Sequence, residues 1–484
     1  MSADKKIIII GGGLAGLTAG ALLAKKGLQV QLFEARDKTG GCCATTSVDG
    51  FTFNDGALCL ILPNVLEHAF SRLGLQREAC LPLRKISASH TTTLPDGATV
   101  TVGEGVQVSL EGGRERVDAG RLRAEIEHMM VKWVPVLDFF TQDVVFHPFS
   151  LSRLATRGWR HLPKLRGSAG AEIKALFSSQ AVRAAFSGVL LFNGVPPEQM
   201  PVTMILGLVS MLRDGYFLPE GGMGAITDIL RDVMVQNGGE VCLNEKVKRI
   251  ALKDGQVIGV EAAAAGFVEG QAVLSTASGM ATFLSLLAAE DAPTAMRRKA
   301  QKAWLSHRSF VLQLGLSNKV EAPSHFIDEL PFMDEQHRLF TASGGDGAWL
   351  TYSVPTVTMP ELAPPGGSII ELFLPVDAGM PLAAWDEAAK TKAVGRAIQV
   401  LSRRHTLEIA AMRAFSPLDF QEQMHLYQGA LYGLSPAAGP LAMFPRQTRL
   451  PGLFLAGQTT YPGFGVVAAA MSGVFAADAL LKTV

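Results

Sequence analysis

The residues best placed for chemistry stand at the start of the chain, in KIIIIGGGLAGLTAGALLAKKGLQVQLFEA. Gly11, Gly13 and Gly16 follow a β-branched run, Ile7 to Ile10, and Glu34 lies near the end of the stretch. Gly11 allows a tight turn. Gly13 lets a pyrophosphate reach the backbone, and Gly16 lets a helix pack on the strand before it. Leu14 and Ala15 complete the loop. A helix opening there presents free N–H groups and a partial positive charge to phosphate oxygens. Glu34 can accept both ribose hydroxyls and would repel a 2′-phosphate. The adenosine diphosphate of FAD or NAD therefore fits better than that of NADP.

These residues need a particular set of elements around them. Ile7 to Ile10 read as a buried parallel strand. Leu17 to Lys26 read as a helix that Gly27 stops, and QVQLFEA reads as the next strand. A chain of 484 residues predicts two or three domains. Its 48% hydrophobic content supplies a large core. Charge is balanced, 44 basic against 44 acidic residues, so no overall field draws nucleic acid.

Other chemistries find little support. The five cysteines, Cys42, Cys43, Cys59, Cys80 and Cys242, form no CxxC and predict a reducing cytosol without a disulfide framework. Ten histidines include no HExxH and no i, i+4 pair, so no metal site is expected. There is no GxSxG elbow. The N-terminal MSADKKIIII mimics a leader, but its apolar run is four residues long and breaks into glycine. Leu450 to Leu481 carries one charge, Asp478, and is interrupted by YPGFG, so no transmembrane span is expected.

Several further segments resemble the FAD-dependent flavin amine oxidase superfamily, and within it the phytoene desaturases and carotenoid isomerases. Beyond Glu34, ARDKTGGCCATT is similar to the superfamily's E-x-x-x-x-x-G-G-R. Ala35 and Arg36 fall in the spacer, Gly40 and Gly41 match, and Cys42 stands where an arginine is usual. GFTFNDGA, with Asp55 and Gly56, resembles the strand and turn that follow. DGYFLPEGGMGAITDILRDVMVQNGGEVCLNEKV resembles a glycine turn, an amphipathic helix and one strand; the resemblance places Val247 against the adenine. QAVLSTAS resembles a closing sheet strand. LPGLFLAGQTTYPGFGVVAAAMSGVFAADALL is similar to the flavin-contacting C-terminal motif, which implies cofactor contacts at Gly457, Gln458, Gly465, Val466 and Val467. Many relatives carry an acid at the position of Gln458. A helix starting near Val466 would aim its positive end at the flavin edge where negative charge builds on reduction.

The resemblance covers roughly a third of the chain in three separated blocks and implies an α/β protein. A Rossmann-like, glutathione-reductase-type FAD-binding domain is expected from residues 1–79, 214–280 and 441–484. An inserted α+β substrate-binding domain is expected from 80–213 and 281–440. The implied activity is that of an FAD-dependent oxidoreductase of phytoene desaturase type. It would abstract hydride from, isomerise or saturate a long apolar polyene or isoprenoid, with a quinone or oxygen as electron acceptor. The alternatives are an amine or protoporphyrinogen oxidase, and a non-catalytic prenyl carrier of the same fold, as in the Rab GDP-dissociation inhibitors.

The intervening residues say less. Arg121 to Phe140 read as an amphipathic helix. SLSRLATRGWRHLPKLRG interleaves Arg153, Arg157, Arg160, Lys164 and Arg166 with Leu154, Trp159 and Leu165, a pattern for a membrane surface or for a solvated basic helix or loop. The expected location is cytoplasmic, with peripheral membrane contact. PVTMILGLVSML reads as core or tunnel wall, and Phe139, Phe140, Phe192, Phe310, Phe340 and Phe373 as core. Catalytic candidates are His425, Tyr427 and Gln428, in a segment that resembles one approaching the substrate cavity, and Tyr461. Cys42 and Cys43 read as small buried fillers. The task of the missing arginine then passes to Arg36 or to the helix dipole, or else the FAD is held less tightly.

Overall fold

The all-isoleucine run acquires its explanation in the computed structural model, which describes residues 6–103, 107–340, 350–376 and 379–483. The stretch before Lys6, weighed above as a leader, lies outside them. The strand Lys6–Ile10 is central in a five-stranded parallel sheet. Across the sheet the order is Glu240–Cys242, Gln29–Phe33, Lys6–Ile10, Ala272–Ser275 and Leu453–Leu455. Strand side chains alternate faces, and here both faces are covered. Ile7 and Ile9 join a core with three helices, Leu14–Lys25, Gly224–Gln236 and Val466–Leu480. Ile8 and Ile10 join a core under the three-stranded antiparallel sheet Val247–Lys253, Gln256–Ala262 and Gly266–Glu269.

Small residues set how closely the helices lie. A Cβ on Gly20 would meet Met234 Sδ at 2.6 Å, and one on Gly473 would meet the Ala15 carbonyl at 2.4 Å. The C-terminal helix therefore sits against the backbone of the first.

A second, eight-stranded sheet carries the rest. Its order is Ile409–Phe415, Arg308–Leu316, Ser368–Val376, Leu350–Ser353, Phe326–Glu329, Ala88–Thr93, Thr99–Gly103 and Val108–Glu111. One face is apolar, with Leu312, Leu314, Ile370 and Leu372, and packs with Ala397 and Leu401 of the helix Glu387–Leu401. The other face carries Arg413, Gln313, Glu371, Ser353, Phe326 and His90 as cross-strand partners in one row. Helices Ala119–Phe139, Gln180–Leu191 and Ile205–Asp214 build a further core around Trp133 and Phe186.

Three details depart from expectation. The first helix starts at Leu14, three residues before the predicted start at Leu17, so Gly16 lies in its first turn. GGEVCLNEKV is two strands, Glu240–Cys242 and the start of Val247–Lys253, with Asn244 between them at φ 55°. Residues 281–303, assigned to the substrate domain, pack with the cofactor-side sheet, because Phe283, Leu287 and Ala300 share a core with Ile8 and Val273.

Candidate cofactor and active site

The glycine loop folds as its residue types require. Gly11 adopts φ 99°, and a Cβ on Gly16 would come within 2.2 Å of the Gly11 carbonyl. Gly13 differs, because a Cβ there would meet nothing within 4 Å. The first glycine serves the turn and the third serves packing. Gly13 leaves open space beside the helix N-terminus, where Leu14, Ala15 and Gly16 have no carbonyl one turn back to accept their N–H groups. No side chain caps this helix.

Glu34 is 7% exposed at the end of its strand. Its carboxylate accepts the Gly12 N–H at 2.7 Å and the Arg36 N–H at 2.9 Å, which fixes its orientation. Two N–H bonds leave lone pairs on both oxygens for ribose hydroxyls. Ala35 and Arg36 are half-buried beside it. Val247 is buried among Ile10 and Phe33 at the start of its strand.

Gly40 and Gly41, at φ 110° and 55°, bring a second loop onto the first. Gly40 donates to the Gly12 carbonyl at 2.7 Å, and a Cβ on Gly41 would lie 3.2 Å from the Gly13 Cα. Cys42 and Cys43 follow in a short 3-10 turn, and all five cysteines are free. Burial pushes the Cys42 thiol up to about 11 and the Cys43 thiol to about 12. Cys43 donates to the Met223 carbonyl at 3.4 Å. The Cys42 carbonyl accepts the Ala57 N–H at 2.8 Å, and a Cβ on Gly56 would crowd it at 2.9 Å.

Asp55 is 4% exposed and meets three cations, Arg36 at 3.0 Å, Lys38 at 2.8 Å and Arg413 at 3.0 Å. Burial acts to raise its pKa, but hydrogen bonds from Lys38 and Thr46 and the charge of Arg413 hold it below the usual carboxylate value. Arg36 also reaches the Gly41 carbonyl at 3.4 Å. Arg413 had no motif to mark it; strand pairing far along the chain brings it here.

The C-terminal helix begins at Val466 behind Gly465, which has φ 97° and empty space around its Cβ position. No side chain caps this terminus either, so Val466 and Val467 present free N–H groups. Gly457, at φ 100°, turns the chain after the last sheet strand, and Gln458 lies against Gly433. Two glycine-capped helix ends, an ordered carboxylate and two close-packed glycine loops make a cradle that fits a dinucleotide.

A run of rings leads away from the C-terminal helix start. Phe464 stacks on Tyr432 at 4.6 Å, Tyr432 meets His307 at 5.3 Å, and His307 meets Phe373 at 5.8 Å. Phe192 follows at 5.7 Å, then Phe326 at 6.1 Å, which stacks on His90 at 4.8 Å. Phe192 and Phe373, read from sequence as core, instead keep accessible surface within this run, as do Tyr216 and Tyr432. Yet burial raises the pKa of both tyrosines and pushes Cys59 up to about 12. The buried imidazole of His307 is neutral, with its pKa lowered by burial to about 4. Sequence periodicity could not reveal the run, because its members come from three strands and from loops far apart in the chain.

The sequence-based catalytic candidates lie elsewhere. His425, at φ 56°, is solvent-exposed; partial burial of its ring and the Lys246 charge lower its pKa against the pull of Glu34. Those neighbours place it at the carboxylate end of the cradle. Tyr427 packs with the core under the three-stranded sheet, and exposed Gln428 gives its carbonyl to Arg308 at 2.8 Å. None of the three belongs to the ring run. Tyr461 donates its hydroxyl to the Val144 carbonyl and meets Phe149 at 5.6 Å. That bond ties Tyr461 to the helical turn Phe140–Val145.

The family model described as flavin-containing amine oxidoreductase matches residues 14–481. Among curated proteins, the chain is 25% identical to a zeta-carotene-forming phytoene desaturase of Myxococcus xanthus, over 99% of this chain and 94% of that one. It is 26% identical to a lycopene-forming phytoene desaturase of Pseudescherichia vulneris, over 99% of each. Among solved structures, an oxidoreductase from Methanosarcina mazei superposes with a TM-score of 0.64 at 17% identity, covering 99% of this chain and 100% of that one. Cyclohexylamine oxidase from Brevibacterium oxydans superposes with a TM-score of 0.61 at 16% identity, with the same coverage. The two structures share the fold.

Proposed function

The chain belongs to the family of flavin-containing amine oxidoreductases and is an FAD-dependent oxidoreductase, and from that premise we propose that it oxidises a long, apolar, unsaturated substrate of carotenoid type at a C–H bond. The observation that carries this reading is the aromatic run from Phe464 to His90, a line of ring contacts that starts beside the C-terminal helix. Full-length similarity to two phytoene desaturases supports it.

In this reading Glu34 accepts the ribose hydroxyls, and Val247 backs the adenine. Gly11, Gly13, Leu14, Ala15 and Gly16 take one side of the pyrophosphate. Gly40, Gly41 and Cys42, braced by Asp55 and Gly56, take the other. Gly457 and Gln458 turn the chain toward Gly465, Val466 and Val467, whose N–H groups would hold the flavin. The flavin supplies two-electron oxidation of a substrate carbon. The protein orients the chain of the substrate along the rings and excludes water from the cation that develops there. A delocalised allylic cation sheds a proton readily, so no strong base is required. Neutral His307 keeps charge out of the path.

A membrane surface is the proposed source of substrate. Phe149, Leu151, Trp159 and Leu162 are exposed hydrophobics, with Leu151 at 72% and Trp159 at 63%. Arg160 and Arg166 are exposed among them. Arg153 and Arg157 instead pair with Asp143 at 3.3 and 2.8 Å, so part of the expected basic patch is neutralised. Among the described residues no helix is long and apolar enough to cross a membrane. Contact would be interfacial. Tyr461, against Phe149, joins this patch to the C-terminal motif.

The test is product analysis. Protein loaded with FAD is given an acyclic polyene in lipid vesicles, with a quinone or oxygen as acceptor. A product lighter by two hydrogens supports the reading. Turnover of amines with no change in the polyene would replace it with the amine oxidase alternative.

A further inference from the structure

Asp55 and its partners raise a question of charge. Three cations, Arg36, Lys38 and Arg413, converge on one carboxylate beside the Gly40–Gly41 loop. Asp55 is thus the shared partner of three cations, next to a loop whose glycines pack on Gly13. Arg36 and Lys38 belong to the loop's own approach. Arg413 comes from the edge strand of the eight-stranded sheet.

The guanidinium is held on all sides. One nitrogen pairs with Asp55 Oδ1 at 3.0 Å and the other donates to Gln313 Oε1 at 2.9 Å. Its plane lies over the rings of Phe415 and Phe53, at 4.9 and 5.9 Å. Gln313 in turn donates to the Asn54 carbonyl at 2.6 Å and to Glu371 Oε1 at 3.2 Å, and Glu371 accepts the Asn54 N–H at 3.1 Å. A fork fixed by a carboxylate, an amide and two rings is a role for arginine that lysine cannot fill. The turn after Asp55 hydrogen-bonds the Cys42 carbonyl through Ala57, so the position of Asp55 is passed directly to the loop.

We propose that Arg413 is a positioning residue for the cofactor: from the second sheet it holds Asp55, and through Asp55 the Gly40–Cys42 loop, and it supplies the positive charge that position 42 lacks. This rests on the assignment of that loop to the FAD pyrophosphate. It makes cofactor retention depend on the seating of the second sheet, since Arg413, Gln313 and Glu371 all belong to it.

The experiment compares FAD dissociation constants of the full chain, stripped of flavin and titrated by quenching of flavin fluorescence, for wild type, R413Q and R413Q/C42R. R413Q is expected to bind FAD on the order of tenfold more weakly with unchanged far-UV circular dichroism. R413Q/C42R is expected to recover most of the loss, because it returns a cation to the loop from the other side. Unchanged affinity in R413Q overturns the proposal. So does a loss that C42R leaves in place, which would show packing alone. Where R413Q does not fold, R413K serves: a few-fold loss is expected because charge is kept and the fork is lost, and wild-type affinity overturns the proposal. Wild type that takes up no FAD would overturn the underlying assignment instead.

Discussion

Cys42 shows how one residue's neighbours decide its chemistry. Its thiol is raised to about 11 by burial, so almost no thiolate exists at neutral pH. Cys42→Ser should therefore leave flavin reduction by substrate within about twofold of wild type, as stopped-flow absorbance would report. Loss of the half-reaction would instead give the thiol a redox role. Glu371 offers a test of the network below Arg413. Burial pushes its carboxyl from 4.5 up to about 7 against bonds from Asn54, Ser353 and Gln313. A folded pKa above the unfolded one gives stability that is complete below about pH 4.5 and is lost as pH rises through about 7. Glu371→Gln removes that dependence. The melting temperature of wild type relative to Glu371→Gln should then be lower at about pH 8 than at about pH 5. A pH-independent difference would contradict the assignment.

At the scale of elements, the glycine loop separates fold from binding. Gly16 touches its own backbone at the Gly11 carbonyl, whereas Gly13 faces open space. Gly16→Ala should destabilise the protein even without flavin, by about 1–3 kcal/mol in denaturant unfolding. Gly13→Ala should leave flavin-free stability within about 0.5 kcal/mol and weaken FAD binding. Equal effects on both measurements would sink this division. The strand, loop, helix and acid were legible in the sequence because each constraint is local: a β-branched run, a φ only glycine adopts, a carboxylate at a strand end. Even so, the helix start was placed three residues late, since Gly16 reads as loop when its packing partner is unseen. The candidates in QMHLYQGALYG were placed by likeness of a segment. The fold leaves His425 exposed and sets Tyr432, five residues past Tyr427, into the ring run instead.

At the scale of the molecule, what the sequence hid is what the second sheet assembles. Arg413 reaches Asp55 across most of the chain's length, and Phe192, Phe373 and Phe464 meet through Tyr432 and His307. No window of residues contains these groupings. The exposed patch is likewise a sum of parts: a double change, Leu151→Ser with Trp159→Ser, should abolish flotation with anionic vesicles and leave melting unchanged, since both side chains are mostly exposed. Flotation equal to wild type would remove the membrane from the account. The most direct test of the central claim is an anaerobic titration of the FAD-loaded protein. Polyene in vesicles should bleach the oxidised-flavin band stoichiometrically, and primary amines should leave it intact. Bleaching by amines alone, with the band unmoved by any polyene, would contradict the account.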